Sequence, residues 1–159
     1  MNLVYSLEAG GPSVVLTDDA IAAMIRHRQK SIKDKEAGGQ LFARFEGNNT
    51  IIVEATEPKA LDKRSRYGFI PSQWLQRQEI KSKYTQGKHF VGDWHTHPQQ
   101  VPSPSGDDKE SMIDCFRKSR HELKAFLMVI VGTADPPENL FVCLVDGSGI
   151  SRLKLIATS

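Results

Sequence analysis

The sequence of 159 residues has few cysteines, little net charge and no long apolar run. Its two cysteines, Cys115 and Cys143, lie far apart and outside any Cys-x-x-Cys pattern. Neither a disulfide framework nor a thiolate zinc site is therefore indicated. The net charge of +2 is too small to indicate a nucleic-acid partner. The composition indicates no particular binding partner, so only local motifs can indicate the function.

Targeting and membrane-spanning signals are lacking as well. The chain does not open with a charged segment followed by an apolar signal run, and its longest apolar run, residues 125–131, is far too short to cross a bilayer. We therefore expect a cytoplasmic location without a membrane partner. Hydrophobic content of 39% and charged content of 25% are typical of a globular chain of this length, which can bury a core without disulfides.

Patterns along the chain predict a mixed α and β order with a sheet at its centre. Thr17 can cap a helix that is predicted to end near Ser31, because apolar residues follow Thr17 at helical spacing. Two partly β-branched segments, residues 40–45 and 51–55, flank a turn and predict a hairpin. The other predicted elements are a loop with one short strand at 57–71, helices at 73–84 and 106–119, and strands at 89–97, 125–131, 139–145 and 150–156.

Residues 92–108 are unusually rich in side chains that can bind metals. His95 and His97 are two apart on a predicted strand, so both imidazoles project from the same face and can reach one ion. Such a pair alone is weak evidence, because two histidines on one face of a surface strand are common. Three prolines then stiffen the chain, which would let a loop return a carboxylate to a fixed place near the histidines.

Ser105 and Asp108 mark the start of the next predicted helix. Taken alone, this segment is typical of a capping pair in which Ser105 is the N-cap residue. Taken with the two histidines, one carboxylate completes the usual three-ligand shell of a catalytic zinc, which leaves a fourth position for water. Zinc lowers the pKa of such a water to about 7, so that it becomes a nucleophile at neutral pH.

A zinc hydrolase also needs a general base, and Glu36 is the candidate. It stands just ahead of Gly38 and Gly39, which would let the backbone approach a substrate or turn sharply. The alternative is a surface acid within the charged cluster at residues 33–36. Spacing alone does not separate these two hypotheses.

The motifs together resemble a known family. His-Thr-His-Pro at residues 95–98, followed after six residues by Ser105 and after two more by Asp108, is similar to the signature of JAMM (MPN+, JAB1/Mov34) zinc metalloproteases. Residues 36–41 are similar to the upstream Glu-x-Gly-Gly-x-Leu element of that family. The resemblance covers about residues 15–156. It implies one domain over residues 1–159 with an α/β (α+β), cytidine-deaminase-like JAMM/MPN fold, in which about three helices flank a central mixed sheet.

The resemblance also implies a role for each motif residue. The ligands of one catalytic Zn²⁺ would be His95, His97 and Asp108. Glu36 would hold and deprotonate the water at the fourth position. Ser105 would donate a hydrogen bond to the oxyanion of the tetrahedral intermediate, where negative charge develops only during the reaction.

The chain departs from the family pattern at several positions. Asp107 is the rival ligand, although the family spacing favours Asp108. Ala43 stands where many members have glycine. Asp93 and Trp94 precede the first histidine, where eukaryotic members often carry two bulky residues. By strand alternation Asp93 shares the side of the histidines and can support them, whereas Trp94 is expected to pack in the core together with Thr96.

The form Gly-Asp-Trp-His-Thr-His-Pro is most similar to compact bacterial members encoded beside homologues of ubiquitin-activating and ubiquitin-conjugating enzymes. These include members of antiphage operons with a cyclic-oligonucleotide synthase (CBASS). The resemblance implies a deubiquitinase-like isopeptidase or peptidase that cleaves the amide between the C-terminus of a ubiquitin-like or conjugated protein and its target. The implied partners are a protein with an extended C-terminal tail, a conjugating enzyme and its nucleotidyltransferase target, without membrane or nucleic acid.

Three alternatives remain. An inactive scaffold of the same fold would typically lack ligands, whereas all four key side chains are present here. The DNA-repair-associated RadC type has His-Asn-His-Pro-Ser-Gly where this chain has His-Thr-His-Pro-Gln-Gln. A protease that trims small sulfur-carrier proteins would use the same chemistry, and the sequence does not distinguish it from an isopeptidase.

Overall fold

A mixed sheet of nine strands forms the centre of the molecule. The structure is a computed structural model that describes residues 1–31, 33–59, 63–64, 69–70 and 73–159. In chain order the elements are β1 (Leu3–Ser6), β2 (Ser13–Leu16), α1 (Asp18–Ile25), β3 (Gly38–Glu46), β4 (Asn49–Ala55), β5 (Lys63–Arg64), β6 (Phe69–Ile70), α2 (Gln73–Thr85), β7 (His89–Thr96), α3 (Gly106–Lys118), β8 (Phe126–Val131), β9 (Leu140–Asp146), β10 (Gly149–Arg152) and β11 (Lys154–Thr158).

The strand order in this sheet is β10-β9-β8-β7-β3-β4-β2-β1-β11. The pairs β2–β4 and β7–β8 are parallel, and the other neighbours are antiparallel. The helix α3 forms the crossover between the parallel strands β7 and β8, as a parallel pair requires. The predicted α/β fold with a mixed sheet is therefore confirmed, and the described part of the chain contains three helices.

The strand β8 is buried at every position because both faces of the sheet are covered there. Leu127, Val129 and Val131 pack into one core cluster together with residues of α1. Ile130 and its alternate neighbours pack into a second cluster, which includes Met112 of α3. Each fully buried side chain of this size contributes about 1.5–3 kcal/mol relative to an exposed one. The strand β7, which pairs with β8, is therefore held next to the most deeply buried part of the sheet.

The helix α1 begins where the sequence predicts but ends earlier. The Thr17 side chain accepts a hydrogen bond from the backbone N–H of Ala20 and caps the helix. The helix ends at Ile25 rather than near Ser31, so the predicted end is wrong. The chain turns away because Gln29 is 2% exposed and its carboxamide bonds to groups outside the helix: Nε2 donates to the Asp34 carbonyl, and Oε1 accepts from Thr96 Oγ1.

The predicted hairpin is confirmed as β3 and β4, and its turn is shorter than expected. Glu46 pairs with Asn49, which leaves two residues in the turn. Gly47 has a φ of +59°, a conformation that favours glycine over other residues. The helix predicted at residues 73–84 is confirmed as α2. Of the short strand predicted within 57–71, Phe69–Ile70 forms β6, whereas Tyr67 and Gly68 lie outside the described residues.

The single strand predicted at residues 150–156 is wrong, because this segment forms two strands at opposite ends of the sheet order. The strand β10 pairs with β9, and β11 pairs with β1. Only Leu153 separates them, and its side chain is 4% exposed within the core. Since one residue spans at most about 3.6 Å, the sheet must curl until its two ends lie side by side. Among the described residues no helix is long and apolar enough to span a membrane.

Candidate metal centre

Both histidines of the motif lie at the end of β7 in the middle of the sheet. The backbone of His95 is level with Gly38 of β3 and Ile130 of β8. Ile130 belongs to the core cluster beneath α3, so His95 projects toward the side of the sheet that α3 covers. The backbone N–H of His97 donates to the carbonyl of Val131 at 3.0 Å, which extends the β7–β8 pairing past the end of the strand.

Three ligand atoms converge where the predicted site lies. His95 Nε2 is 3.3 Å from Asp108 Oδ1, and His97 Nε2 is 3.0 Å from Asp108 Oδ2. One ligand atom from each of these residues lies within 4.8 Å of the other two. All three side chains are between 12% and 20% exposed, so the cluster is largely buried but still reached by solvent.

The start of α3 holds Asp108 in place. The backbone N–H of Ser105 donates to Asp108 Oδ2 at 2.8 Å, and the backbone N–H of Asp108 donates to Ser105 Oγ at 3.0 Å. This reciprocal pair is a capping box, and the N-terminal end of the helix dipole favours a negative charge at this position. The sequence left two interpretations of Asp108 open, a helix cap or a carboxylate that faces the histidines. The structure contains both features.

The donor set fits a zinc ion. Two imidazole nitrogens and one carboxylate oxygen are the protein ligands of many catalytic zinc sites, which keep a fourth position open. His95 Nε2 is buried and has no hydrogen-bond partner among the described residues, although it points into the cluster near Asp108. A buried nitrogen without a hydrogen-bond partner is costly, and a metal ion would satisfy it.

The charges in the cluster support one another. Burial alone would raise the pKa of Asp108, but the adjacent imidazoles of His95 and His97 hold it well below its usual range. Burial alone would lower the pKa of His97, but its hydrogen bond to Asp108 and the charge of that carboxylate raise it above the usual value. Asp108 is therefore ionised at neutral pH, as a metal ligand has to be.

Glu36 lies beside the cluster on the segment that leads into β3. The backbone N–H of Ala37 donates to Thr96 Oγ1, and the backbone N–H of Thr96 donates to the Ala37 carbonyl, both at 2.9 Å. Burial raises the pKa of Glu36, whereas the charges of His97 and His95 lower it and that of Asp108 raises it further. Since all three residues of the cluster influence this carboxyl group, the structure brings Glu36 together with them.

The remaining predicted residues divide between the site and the core. Ser105 is exposed beside Asp108, while Asp107 is exposed and does not belong to the converging group. Trp94 and Thr96 are 1% and 0% exposed, which confirms their predicted place in the core. Asp93 Oδ1 is buried and has no hydrogen-bond partner among the described residues, and burial raises the pKa of this carboxyl group to about 7.

Gly39, the second of the two adjacent glycines, allows the backbone to pack closely against other parts of the protein. A Cβ on Gly39 would lie 2.0 Å from the carbonyl oxygen of Thr56 and 2.8 Å from Nε1 of Trp94. That indole N–H donates to the same carbonyl at 2.9 Å. The sequence predicted that a substrate could approach the backbone closely at these glycines. At Gly39 the group that approaches is Thr56 of the same chain, which directly follows β4.

Sequence patterns did not reveal two residues that support the site. Gln99 Oε1 lies 3.2 Å from His97 Nδ1, and Gln29 Oε1 accepts from Thr96 Oγ1 at 3.1 Å. Gln99 follows directly after His-Thr-His-Pro, so a side chain that can form a hydrogen bond two residues from His97 could have indicated this contact. No comparable signal exists for Gln29, because its contact depends on where α1 ends.

The fold and site define an α/β domain with a cluster of two histidines and one aspartate that could hold a metal ion. A solution structure of a protein from Desulfitobacterium hafniense shares this fold, with a TM-score of 0.64 and 23% identity, and the match covers 91% of this chain and 92% of that chain. A family model described as prokaryotic homologs of the JAB domain matches residues 17–144. The chain therefore belongs to this JAB (JAMM/MPN) family.

Relatives within the family are named for their activity. The chain is 36% identical over 127 residues to a CD-NTase/cGAS isopeptidase of Pseudomonas aeruginosa, a match that covers 78% of this chain and 77% of that protein. It is 27% identical over 138 residues to a protein of the same name from Escherichia coli, with 85% and 86% covered. The chain thus spans most of the length of both relatives.

Proposed function

We propose that this protein is a zinc-dependent isopeptidase that removes a conjugated protein from its target. The observation that carries the proposal is the convergence of His95, His97 and Asp108 within 4.8 Å, with Nε2 of His95 buried 3.3 Å from Asp108 Oδ1 and in no well-aligned hydrogen bond among the described residues. The names of the relatives support hydrolysis of an isopeptide bond as the reaction.

In this proposal His95, His97 and Asp108 hold one zinc ion, and the start of α3 fixes the direction of the carboxylate. A zinc ion in such a site lowers the pKa of water to about 7 and polarises the carbonyl of the scissile amide. The capping box keeps Asp108 in one orientation, and the depressed pKa of Asp108 keeps it ionised. The site is therefore arranged before the substrate arrives, which reduces the cost of reorganisation.

Glu36 acts as the general base and then as the general acid. Its carboxylate takes a proton from the attacking water as the oxygen–carbon bond forms, and it returns that proton to the amide nitrogen as the carbon–nitrogen bond breaks. Burial raises the pKa of Glu36 above its ordinary value, which makes the carboxylate a better proton acceptor near neutral pH.

Ser105 stabilises the negative charge on the former carbonyl oxygen. Its Oγ already accepts from the backbone N–H of Asp108, so the hydroxyl proton is left to donate toward the substrate. This hydrogen bond strengthens as charge develops in the transition state, which is the condition for it to accelerate the reaction.

The names of the relatives support a proposal for the substrate class. We take the released protein to be a CD-NTase or similar protein whose extended C-terminal tail has been joined to a target by a ubiquitin-like conjugating enzyme. Two of the relatives are named CD-NTase/cGAS isopeptidase, which supports a CD-NTase as the conjugated protein. Trimming of a sulfur-carrier protein would use the same residues, so it is tested in the same experiment.

Cleavage assays with Glu36→Gln test the proposal. We expect the variant to keep zinc and to lose most of its cleavage of a CD-NTase conjugate, since a positioned acid–base group contributes about 10²–10⁴-fold to the rate. The matched control is Glu46→Gln, because Glu46 is exposed at the far end of β3. Cleavage by Glu36→Gln at the wild-type rate would refute the assigned role. Faster cleavage of a sulfur-carrier fusion than of the conjugate would refute the substrate class.

A further inference from the structure

The side chain of Gln99 sits between two donors. Its Oε1 lies 3.2 Å from the backbone N–H of Ser103 and 3.2 Å from Nδ1 of His97. A backbone N–H can only donate, so the atom that faces it must be the amide oxygen and not the amide nitrogen. Because that oxygen can only accept, His97 must carry a proton on Nδ1.

This proton determines what the other nitrogen of His97 can do. In a neutral imidazole with a proton on Nδ1, Nε2 carries a lone pair. His97 Nε2 is 3.0 Å from Asp108 Oδ2, which is itself an electron-rich acceptor. Two such atoms at this distance share a positive charge, either the proton of the His97–Asp108 hydrogen bond or a metal ion that takes the place of that proton. Gln99 thus fixes the imidazole in the form whose free nitrogen is aimed at a cation.

The backbone around Gln99 is held by the segment that follows β8. The backbone N–H of Thr133 donates to the Gln99 carbonyl at 2.8 Å, and that of Ala134 donates to the Gln100 carbonyl at 3.3 Å. A Cβ on Gly132 would lie 2.4 Å from the first of these carbonyl oxygens and 2.6 Å from the second. The loop packs this closely only because residue 132 is glycine, so Gln99 has a fixed position relative to His97.

We propose that Gln99 is a positioning residue, which sets the tautomer and ring orientation of His97 for metal binding. This inference rests on the proposed function in that the ion is taken to be zinc. Hydrogen bonds to the second nitrogen of a metal-binding histidine are a general means of fixing the ligand, and their loss typically weakens metal binding by about 10–100-fold.

Zinc affinity, measured by competition with a chelator, tests the inference. We expect Gln99→Leu to bind zinc about 10–100-fold more weakly than the wild type, because the acceptor for Nδ1–H is lost. Gln99→Glu keeps an acceptor oxygen at the same reach and should retain at least the wild-type affinity. Gln100→Leu is the matched control, since Gln100 is exposed in the same loop and its side chain makes no hydrogen bond within the described part of the chain.

Proton NMR of the zinc-loaded variants separates positioning from a general loss of structure. The Nδ1–H signal of His97 should exchange slowly with water in the wild type and in Gln100→Leu, and faster in Gln99→Leu. Equal zinc affinity and equal exchange in wild type and Gln99→Leu would overturn this inference and leave the proposed function intact. A wild-type protein that takes up no zinc would overturn both.

Discussion

Asp108 makes two kinds of contact at the residue scale. One carboxylate oxygen accepts from the backbone of Ser105 and lies 3.0 Å from His97, while the other lies 3.3 Å from His95. The same side chain therefore caps the N-terminus of α3 and places a negative charge next to both imidazoles. Its neighbour Asp107 has the same chemistry and the same helix, but it is exposed and lies outside the cluster.

Replacement of these two aspartates separates helix capping from metal binding. Asp108→Asn keeps an oxygen that can accept from Ser105 but removes the charge, so we expect α3 to persist while zinc affinity falls by more than the roughly 10–100-fold typical of a lost supporting partner. Asp107→Asn should bind zinc like the wild type. Circular dichroism checks the fold, and chelator competition measures the affinity. Equal affinities for the two variants would remove Asp108 from the ligand set.

At the scale of elements, ion pairs connect the C-terminal part of α2 to the sheet. It has no buried residue, and its face toward the sheet carries Lys83. Glu54 of β4 pairs with Lys83 at 2.5 Å and with Lys88 at 2.8 Å, and Lys83 lies 3.6 Å from Glu79. Burial alone would raise the pKa of Glu54, but the hydrogen bonds from Lys83 and Lys88 lower it below the ordinary value.

This network predicts a pH dependence of stability. Because the pKa of Glu54 is lower in the folded state, its contribution is fully present above the ordinary glutamate value and is lost as the pH falls through the lowered one. We expect Glu54→Gln to reduce the free energy of unfolding by about 2 kcal/mol at pH 7 and by less at pH 3. Denaturant titrations of wild type and Glu54→Gln measure the difference, with Glu46→Gln as control. A difference that does not shrink on acidification would contradict the prediction.

The sequence predicts local elements well and long-range arrangement less well. The motif strand β7 and the cap of α3 depend on nearby residues, so alternation and capping chemistry locate both elements, whereas the ligand set was implied by the family resemblance and stays a prediction. The end of α1 depends on the hydrogen bond between Gln29 and Thr96, which lie 67 residues apart in the sequence. The strands β1 and β2 have four residues each, too few for a periodic pattern, and were not predicted. The three predicted ligands converge in the structure, while their roles stay predictions; the contact of Gln99 with His97 depends on the loop geometry, which sequence patterns do not give.

On the scale of the whole molecule, the sheet fixes the positions of the three residues of the candidate metal centre. The sheet curls so that its two ends meet at Leu153, and the strand that carries His95 lies near the middle of the strand order. Strands β3 and β8 hold β7 on both edges, and α3 covers its face. Ligands on such a scaffold keep their geometry better than ligands on loops alone, which favours a preformed catalytic site.

Removal and return of zinc test the central claim most directly. Elemental analysis should find one zinc ion per chain, and cleavage of a CD-NTase conjugate should stop when a chelator removes the metal. The addition of one equivalent of zinc should restore both the metal content and the cleavage, because His95, His97 and Asp108 converge on a single ion. Cleavage that continues at the same rate in the zinc-free protein would contradict the account.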